Sequence, residues 1–305
     1  MSIVFKAIEI TDREVITSFT LPSPFRNCDF SFANMCSWRF LYRSEYALAC
    51  GFLFIRFRLD GPLSSPAYMF PLGGGDLSEA IRLMETDALE QGGYPLQILG
   101  VTQPGKEKLE NRFPHAFQFI PSRDYADYLY LREDLIALSG KKYQAKRNHI
   151  NHFNKLYAYS YLPLTPELVA ECLRLEYKWY QANHTLQDAE ELSNERRSLT
   201  FALRHAGELG LTGGAICVDR QIIAFAFGAP VNHDTFAVHA EKADVRYPGI
   251  YSVMNREFAA RLPARYLYIN REEDLGIAGL RQAKQSWRPV FLLDKFLAMK
   301  IRPCP

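Results

Sequence analysis

The chain carries almost no net charge: 36 basic residues face 34 acidic ones, leaving +2. That balance excludes both a polybasic coat for nucleic acid and an acidic tail protein. Long hydrophobic runs are also missing. The two longest, Ala47 to Ile55 and Ile222 to Val231, fall short of the ~18–20 residues of a membrane-spanning helix. The amino terminus is broken early by Lys6, Glu9, Asp12 and Arg13 and does not fit a signal peptide. Cysteine is scarce. Cys28, Cys36, Cys50, Cys172, Cys217 and Cys304 include no Cys-x-x-Cys pair, so reduced thiols and a cytoplasmic location are expected. No Gly-x-Ser-x-Gly elbow occurs, which speaks against a serine hydrolase. Gly73-Gly74-Gly75-Asp76 lacks the Gly-Lys-Ser/Thr ending of a phosphate loop and reads better as a tight turn into a helix, with Asp76 and Glu79 at capping-box spacing.

What is present is a globular composition. The 305 residues are 48% hydrophobic and 23% charged, with 17 Tyr and 21 Phe. This suits two domains of ordinary size with aromatic-rich cores. No disordered linker is visible, so the two parts are expected to pack closely. In the first half, Tyr46–Ala49, Gly51–Leu59 and Pro66–Leu72 read as strands, Leu77–Glu90 as a helix, and Pro95–Val101 as a strand. A short helix near Lys106–Asn111 and a strand at Ala116–Ile120 follow. In the second half, Thr165-Pro166 opens a helix with the stripe Leu168, Cys172, Leu175 and Trp179, and a second helix carries Leu192, Leu199, Leu203 and Ala206. Strands at Ala215–Val218 and Gln221–Gly228 meet at the turn Asp219-Arg220. A strand at Thr235–Glu241, a helix at Gly249–Arg261, a strand at Arg265–Ile269, a helix at Ile277–Gln285 and a last strand at Val290–Ala298 complete the pattern. The halves repeat one order of hairpin, helix, strand, helix and strand. The expected class is α/β with mixed sheets, divided into units 1–140 and 141–305.

Three stretches could carry chemistry. In Thr235 to Glu241 strict alternation places His239 and Glu241 on one sheet face. They are either a proton-transfer pair or a solvated face salt-bridged to Lys242 or Arg246. In Asn270 to Pro289 a charged loop with Glu272, Glu273 and Asp274 precedes a short helix bearing Arg281 and Lys284. This is either a ligand site at a strand end or the ordinary electrostatics of a helix, acids first and bases later. In Lys141 to Phe153 a basic helix carries Lys142, Lys146, Arg147, Asn148 and His149. It either meets phosphates or bridges the two units as a solvated face. His149 and His152 lack an evident third ligand, and no metal is expected.

Arg246-Tyr247-Pro248-Gly249-Ile250-Tyr251, between a strand and a helix, is similar to the cofactor loop of the GNAT acyltransferases, Arg/Gln-x-x-Gly-x-Gly/Ala. Tyr251 stands where that pattern has Gly or Ala, and its bulk crowds a pyrophosphate. Gly279-Leu280-Arg281, Lys284, Trp287, Pro289 and Phe291 to Leu297 resemble the close of the C-terminal catalytic domain of bacterial phosphatidylglycerol lysyltransferases. The Asn-Arg-Glu-x-Asp-Leu-Gly run from Asn270 to Gly276 and Lys146-Arg147-Asn148 resemble a sister group of stand-alone bacterial proteins. The resemblance implies tandem GNAT-like domains of the Fem type, with the active cleft mainly in the second. It implies transfer of an aminoacyl group from aminoacyl-tRNA to an amine or hydroxyl. The alternatives are an acyl-CoA-dependent N-acyltransferase and a non-catalytic small-molecule-binding protein of the same fold. No resident cofactor is implied; the donor is aminoacyl-tRNA or acyl-CoA. The partners implied are the acceptor end of a tRNA and a small-molecule, peptide or lipid head-group acceptor. The expected catalytic residues are Glu241 or Glu272 as base, with His239, and backbone N–H groups near Gly249 facing the oxyanion. The expected donor contacts are Lys142, Lys146, Arg147, Asn148, Arg246, Gly249, Tyr251, Asn270, Asp274, Arg281 and Lys284.

Overall fold

The computed structural model describes residues 3–58, 65–92, 95–183 and 189–301. Cys304 lies outside these; the other five cysteines are unpaired thiols. Among the described residues the strands form two mixed sheets. The first runs Lys6–Ala7, Glu45–Ala49, Phe52–Arg58, Pro66–Met69, Gln97–Val101, Phe296–Lys300, Phe117–Pro121, with Leu72–Gly73 paired to Phe52–Arg58. The second runs Phe291–Leu293, Asp127–Leu131, Tyr268–Asn270, Thr235–Ala243, Gln221–Pro230, Thr212–Val218, Ser160–Pro163. Each sheet contains a parallel pair: Pro66–Met69 with Gln97–Val101, and Thr235–Ala243 with Tyr268–Asn270. Parallel neighbours need a crossover, and the helices Leu77–Glu90 and Ile250–Arg261 lie in those crossovers. The repeated order read from the sequence is therefore a repeated topology.

Local chemistry accounts for the element ends. The Asp76 carboxylate accepts from the Ser78 amide at 3.0 Å and caps the helix Leu77–Glu90. Gly75 before it is required by close approach: a Cβ there would lie 2.0 Å from the Cys50 carbonyl oxygen. Asp219 and Arg220 both hold positive φ, 47° and 63°, as a two-residue hairpin loop demands.

The run Ile222 to Val231 is apolar because both faces of its strand are buried. Phe225, Phe227 and Ala229 face one core; Ala224 and Ala226 face the other. The first core also takes in Phe54, Tyr68, Ile98 and Leu109, with Leu175 and Leu199 from the helices Pro166–Asn183 and Ala189–Arg204. The second gathers Tyr128, Tyr143, Phe153, Phe236, Phe258 and Trp287 beneath the helices Gln144–Leu156 and Ile250–Arg261.

Several strand expectations need correction. The single strand expected at Pro66–Leu72 is two, Pro66–Met69 and Leu72–Gly73. Asp127–Leu131 is a strand the pattern did not reveal, although Tyr128, Leu129 and Tyr130 are all buried. Pairing on the Arg265–Ile269 segment begins only at Tyr268. The single strand expected at Val290–Ala298 is two, Phe291–Leu293 in the second sheet and Phe296–Lys300 in the first. The break falls at Asp294-Lys295, where the chain crosses between sheets. Sheet membership thus crosses residue 140 in both directions: Asp127–Leu131 lies in the second sheet and Phe296–Lys300 in the first. No helix among the described residues is long and apolar enough to cross a membrane.

Candidate functional site

The parallel pair of the second sheet holds for three residues, Thr235↔Tyr268, Phe236↔Ile269 and Ala237↔Asn270, and then parts. Thr235–Ala243 continues along its other neighbour; the Tyr268–Asn270 strand ends. Residues beyond Ala237 and Asn270 line a fork at strand ends, where ligands of α/β sheets gather. The segment Ser23 to Ser31 of the first half lies against this region. Arg26 makes a two-point ion pair with Asp234, at 3.1 and 2.6 Å. The Asn232 amide donates to the carbonyls of Ser23 and Phe25.

Strict alternation fails inside the fork. Phe227 pairs with Ala240 and Gly228 with Val238, so His239 is an extra, unpaired residue of a β-bulge. Val238 packs with the second core and Ala240 with the first. The bulge turns His239 toward Ser31 and the first core. Glu241, opposite Ala226, faces the second core. The two residues expected on one face lie on opposite faces.

On the first-core side three side chains form a chain. The His239 Nδ1 lies 2.7 Å from Glu272 Oε1, and its Nε2 lies 2.9 Å from Ser31 Oγ. A carboxylate only accepts, so Nδ1 carries a proton toward Glu272, and Nε2 and the Ser31 hydroxyl share the second hydrogen bond. Ser31 stands at the N-cap of the helix Phe32–Ser37, yet its hydroxyl makes no cap bond. Glu272 holds φ 57°. Asn270 fixes it there: its Oδ1 accepts from the Glu272 amide at 2.7 Å, while its Nδ2 donates to the Arg26 carbonyl and to Asp127, each at 2.8 Å. Asn270 is thus a fully buried orienting group.

On the second-core side Arg271 donates to Glu241 at 2.7 Å, with Asn255 beside that carboxylate. Burial raises the pKa of Glu241 despite Arg271. Lys146 donates to Ser286 Oγ at 2.7 Å and sits over the Trp287 ring, 4.3 Å from its centroid. Burial, with Arg271 nearby, brings the Lys146 ammonium down to about 8. Arg271 Nη1 and Asn255 Oδ1 are buried with no hydrogen-bond partner among the described residues.

Between the sheets lies a buried ionic knot. The Lys295 ammonium, from the crossing at Asp294-Lys295, is 2.7 Å from Asp29, 2.7 Å from Asp127 and 2.6 Å from Glu273. One cation faces three carboxylates. Burial accordingly pushes Asp127 up to about 7, and it raises the neighbouring Cys28 thiol. Cys28, Asp29 and Glu273 have the spacing of metal ligands, but the ammonium already sits among them, 3.8 Å from Cys28 Sγ.

The other expected contacts serve the scaffold. Asp274 is fully buried, bound by Arg281 at 2.8 and 2.9 Å, by Arg123 at 3.1 Å and by the Tyr128 hydroxyl at 2.6 Å. The Arg281 hydrogen bonds hold its carboxyl well below the usual range. Lys284, on the helix Ala278–Gln285, donates to the Arg271 carbonyl at 2.6 Å and to the Glu273 carbonyl and braces that loop. Arg147 binds the carbonyls of Leu138 and Gly140, Lys142 pairs with Asp134 at 3.1 Å, and Asn148 is exposed. Arg246 reaches back to Asp244. Gly249 is required by close approach: a Cβ there would lie 2.5 Å from the His149 carbonyl oxygen, so the helix Gln144–Leu156 packs against that turn. Tyr251 packs into the second core. The fork therefore collects His239, Glu241, Asn270 and Glu272, with Lys146 near Glu241. Ser31 and Lys295 were not legible: no local motif marks a partner 208 residues away.

The model of the family described as "Phosphatidylglycerol lysyltransferase, C-terminal" matches residues 22–299. A protein of unknown function from Bacteroides thetaiotaomicron is 49% identical, covering 98% of this chain and 100% of its own, with a TM-score of 0.93. L-PGS from Bacillus licheniformis is 12% identical over 98% of this chain and 94% of its own, with a TM-score of 0.66. A tandem GNAT protein from the clavulanic acid biosynthesis pathway is 11% identical over 99% of this chain and 100% of its own, with a TM-score of 0.50. The tandem GNAT fold is thereby shown. An uncharacterised protein of Mycoplasmoides gallisepticum is 26% identical over 57% of this chain, and the match spans 56% of that relative's length.

Proposed function

Because the chain belongs to the phosphatidylglycerol lysyltransferase C-terminal family, we propose that it is an aminoacyltransferase whose donor is aminoacyl-tRNA and whose acceptor is an amine or hydroxyl. The observation that carries the reading is the chain Ser31–His239–Glu272 across the fork.

Glu272 is the partly exposed end of that chain, and His239 is nearly buried. Glu272 takes the proton from the acceptor as its nitrogen or oxygen attacks the ester carbonyl of the donor. The new C–N or C–O bond forms; the bond to the terminal ribose oxygen of the tRNA breaks. The proton returns from Glu272 to that leaving oxygen, so nothing is left over. His239, aligned by Ser31, holds the carboxylate in place through its Nδ1–H. Asn270 sets the backbone that aims it. The His149 carbonyl packed where a Gly249 Cβ would sit, with Tyr251 packed against the second core, disfavours a coenzyme A pyrophosphate at Gly249 and supports the tRNA donor over acyl-CoA.

The test supplies mixed aminoacyl-tRNAs or acetyl-CoA with amine and hydroxyl acceptors and follows acyl transfer. Transfer is expected from the aminoacyl-tRNAs, falling about 10²–10⁴-fold in Glu272→Gln, the range of general-base catalysis. Undiminished transfer by Glu272→Gln would exclude this base. Turnover of acetyl-CoA alone would exclude this donor.

A further inference from the structure

Away from the fork the first half and the helix Ala189–Arg204 enclose a cleft of about 890 Å³. Its walls carry six arginines, Arg39, Arg43, Arg58, Arg196, Arg197 and Arg204, against two carboxylates, Glu9 and Glu45. Both carboxylates are already engaged, Glu9 by Arg39 at 3.4 Å and Glu45 by Arg56 at 2.7 Å. Arg196 is paired with Glu176 at 3.2 Å, so the lining is left three charges positive in a chain whose whole net charge is +2. A concave wall of one sign focuses its field on an anion.

The guanidinium groups are also pre-set. Arg197 lies over the Phe40 ring at 4.0 Å and Arg39 over the Phe201 ring at 4.8 Å. Stacking fixes the plane of each fork, and planar forks match phosphate oxygens in pairs. The cleft also leads toward the fork. Ser37 lines both the cleft and a narrow void of about 30 Å³ that touches His239 and Ala240. Ser37 ends the six-residue helix whose N-cap is Ser31, so at ~1.5 Å per residue the cleft wall lies about 9 Å from that hydroxyl.

We infer that this arginine cleft, not the basic helix Gln144–Leu156, holds the nucleotide phosphates of the donor. The identity of the ligand rests on the transferase reading. The shared chemistry is two or more phosphates borne on a nucleotide, which a tRNA end or coenzyme A would each supply.

The experiment measures binding of a labelled RNA hairpin ending in CCA, and separately of coenzyme A, across a salt series. The expected result for the RNA is salt-dependent binding that weakens at least tenfold in Arg197→Gln/Arg204→Gln. Its log–log salt slope should flatten by about 1.4, two charges at ~0.7 each. Lys155→Gln, on the rival helix, should bind as the wild type does. Binding of coenzyme A alone, lost in the same double variant, keeps the cleft and changes the source of the phosphates. Arg204 is exposed, so Arg204→Gln alone serves as a variant whose fold is not at risk, with a smaller loss expected. The inference is overturned if neither probe binds, if the cleft variants bind like the wild type, or if Lys155→Gln alone weakens binding. Binding lost in the cleft variants while no aminoacyl transfer is found would sink the transferase reading and leave the cleft standing.

Discussion

Lys295 balances three carboxylates with one charge, and the imbalance has measurable consequences. Removing the ammonium in Lys295→Met strands Asp29, Asp127 and Glu273 together, two of them largely buried. Breaking a buried pair in this way costs about 3–5 kcal/mol, to be read as lost stability in urea titrations at pH 7. Burial, aided by the neighbouring Glu273 and Asp29, makes Asp127 retain its proton in the folded chain up to about 7, against an ordinary value of 3.8. Between those values the folded state binds the extra proton, so unfolding releases it. Stability should therefore fall as pH rises through that window. The decline should shrink in Asp127→Asn; an equal decline in that variant would remove Asp127 as its source. At this scale the sequence yielded His239 and Glu272 because a histidine on a strand and a carboxylate after one are visible locally. It did not yield Ser31, Lys295 or Arg26, whose roles exist only through partners in the other half.

Single elements show where pattern reading works and where it stops. The helix Leu77–Glu90 follows from its cap and apolar spacing, and the structure reproduces its limits. The strand expected at Thr235–Glu241 forms and runs on to Ala243, yet its faces invert beyond the bulge at His239. Alternation assumes two residues per repeat, and Val238-His239-Ala240 carries nothing that announces a bulge. Gly249 is the converse case. It was legible as a glycine at a helix start, but its reason is steric: φ is 92° and the His149 carbonyl fills the place of a Cβ. Gly249→Ala should cost about 1–3 kcal/mol from the backbone strain alone. It should lower the thermal midpoint, with the helix Gln144–Leu156 displaced. Full stability in that variant would show that the two helices are not in such close contact.

The whole molecule is held together by exchange of strands. Asp127–Leu131 sits between Phe291–Leu293 and Tyr268–Asn270 in the second sheet; Phe296–Lys300 sits between Gln97–Val101 and Phe117–Pro121 in the first. Neither fragment 1–140 nor fragment 141–305 can complete a sheet alone. Expressed separately, each should lack a cooperative melt, whereas the intact chain should unfold in one transition by both calorimetry and circular dichroism. A cooperative melt of either fragment would contradict this dependence. The repeated order of elements was readable from the sequence; the exchange was not, because pairing partners leave no local mark.

That exchange also sets a timetable for biosynthesis. Phe296–Lys300 pairs with Gln97–Val101 on one edge and Phe117–Pro121 on the other, strands translated about two hundred residues earlier. Domains ordinarily close from the amino terminus as they leave the ribosome. Here the amino-terminal sheet keeps an open seam until residue 300 has emerged. A chain stalled before residue 296 presents two unpaired edges, the surface on which nascent chains aggregate or are degraded.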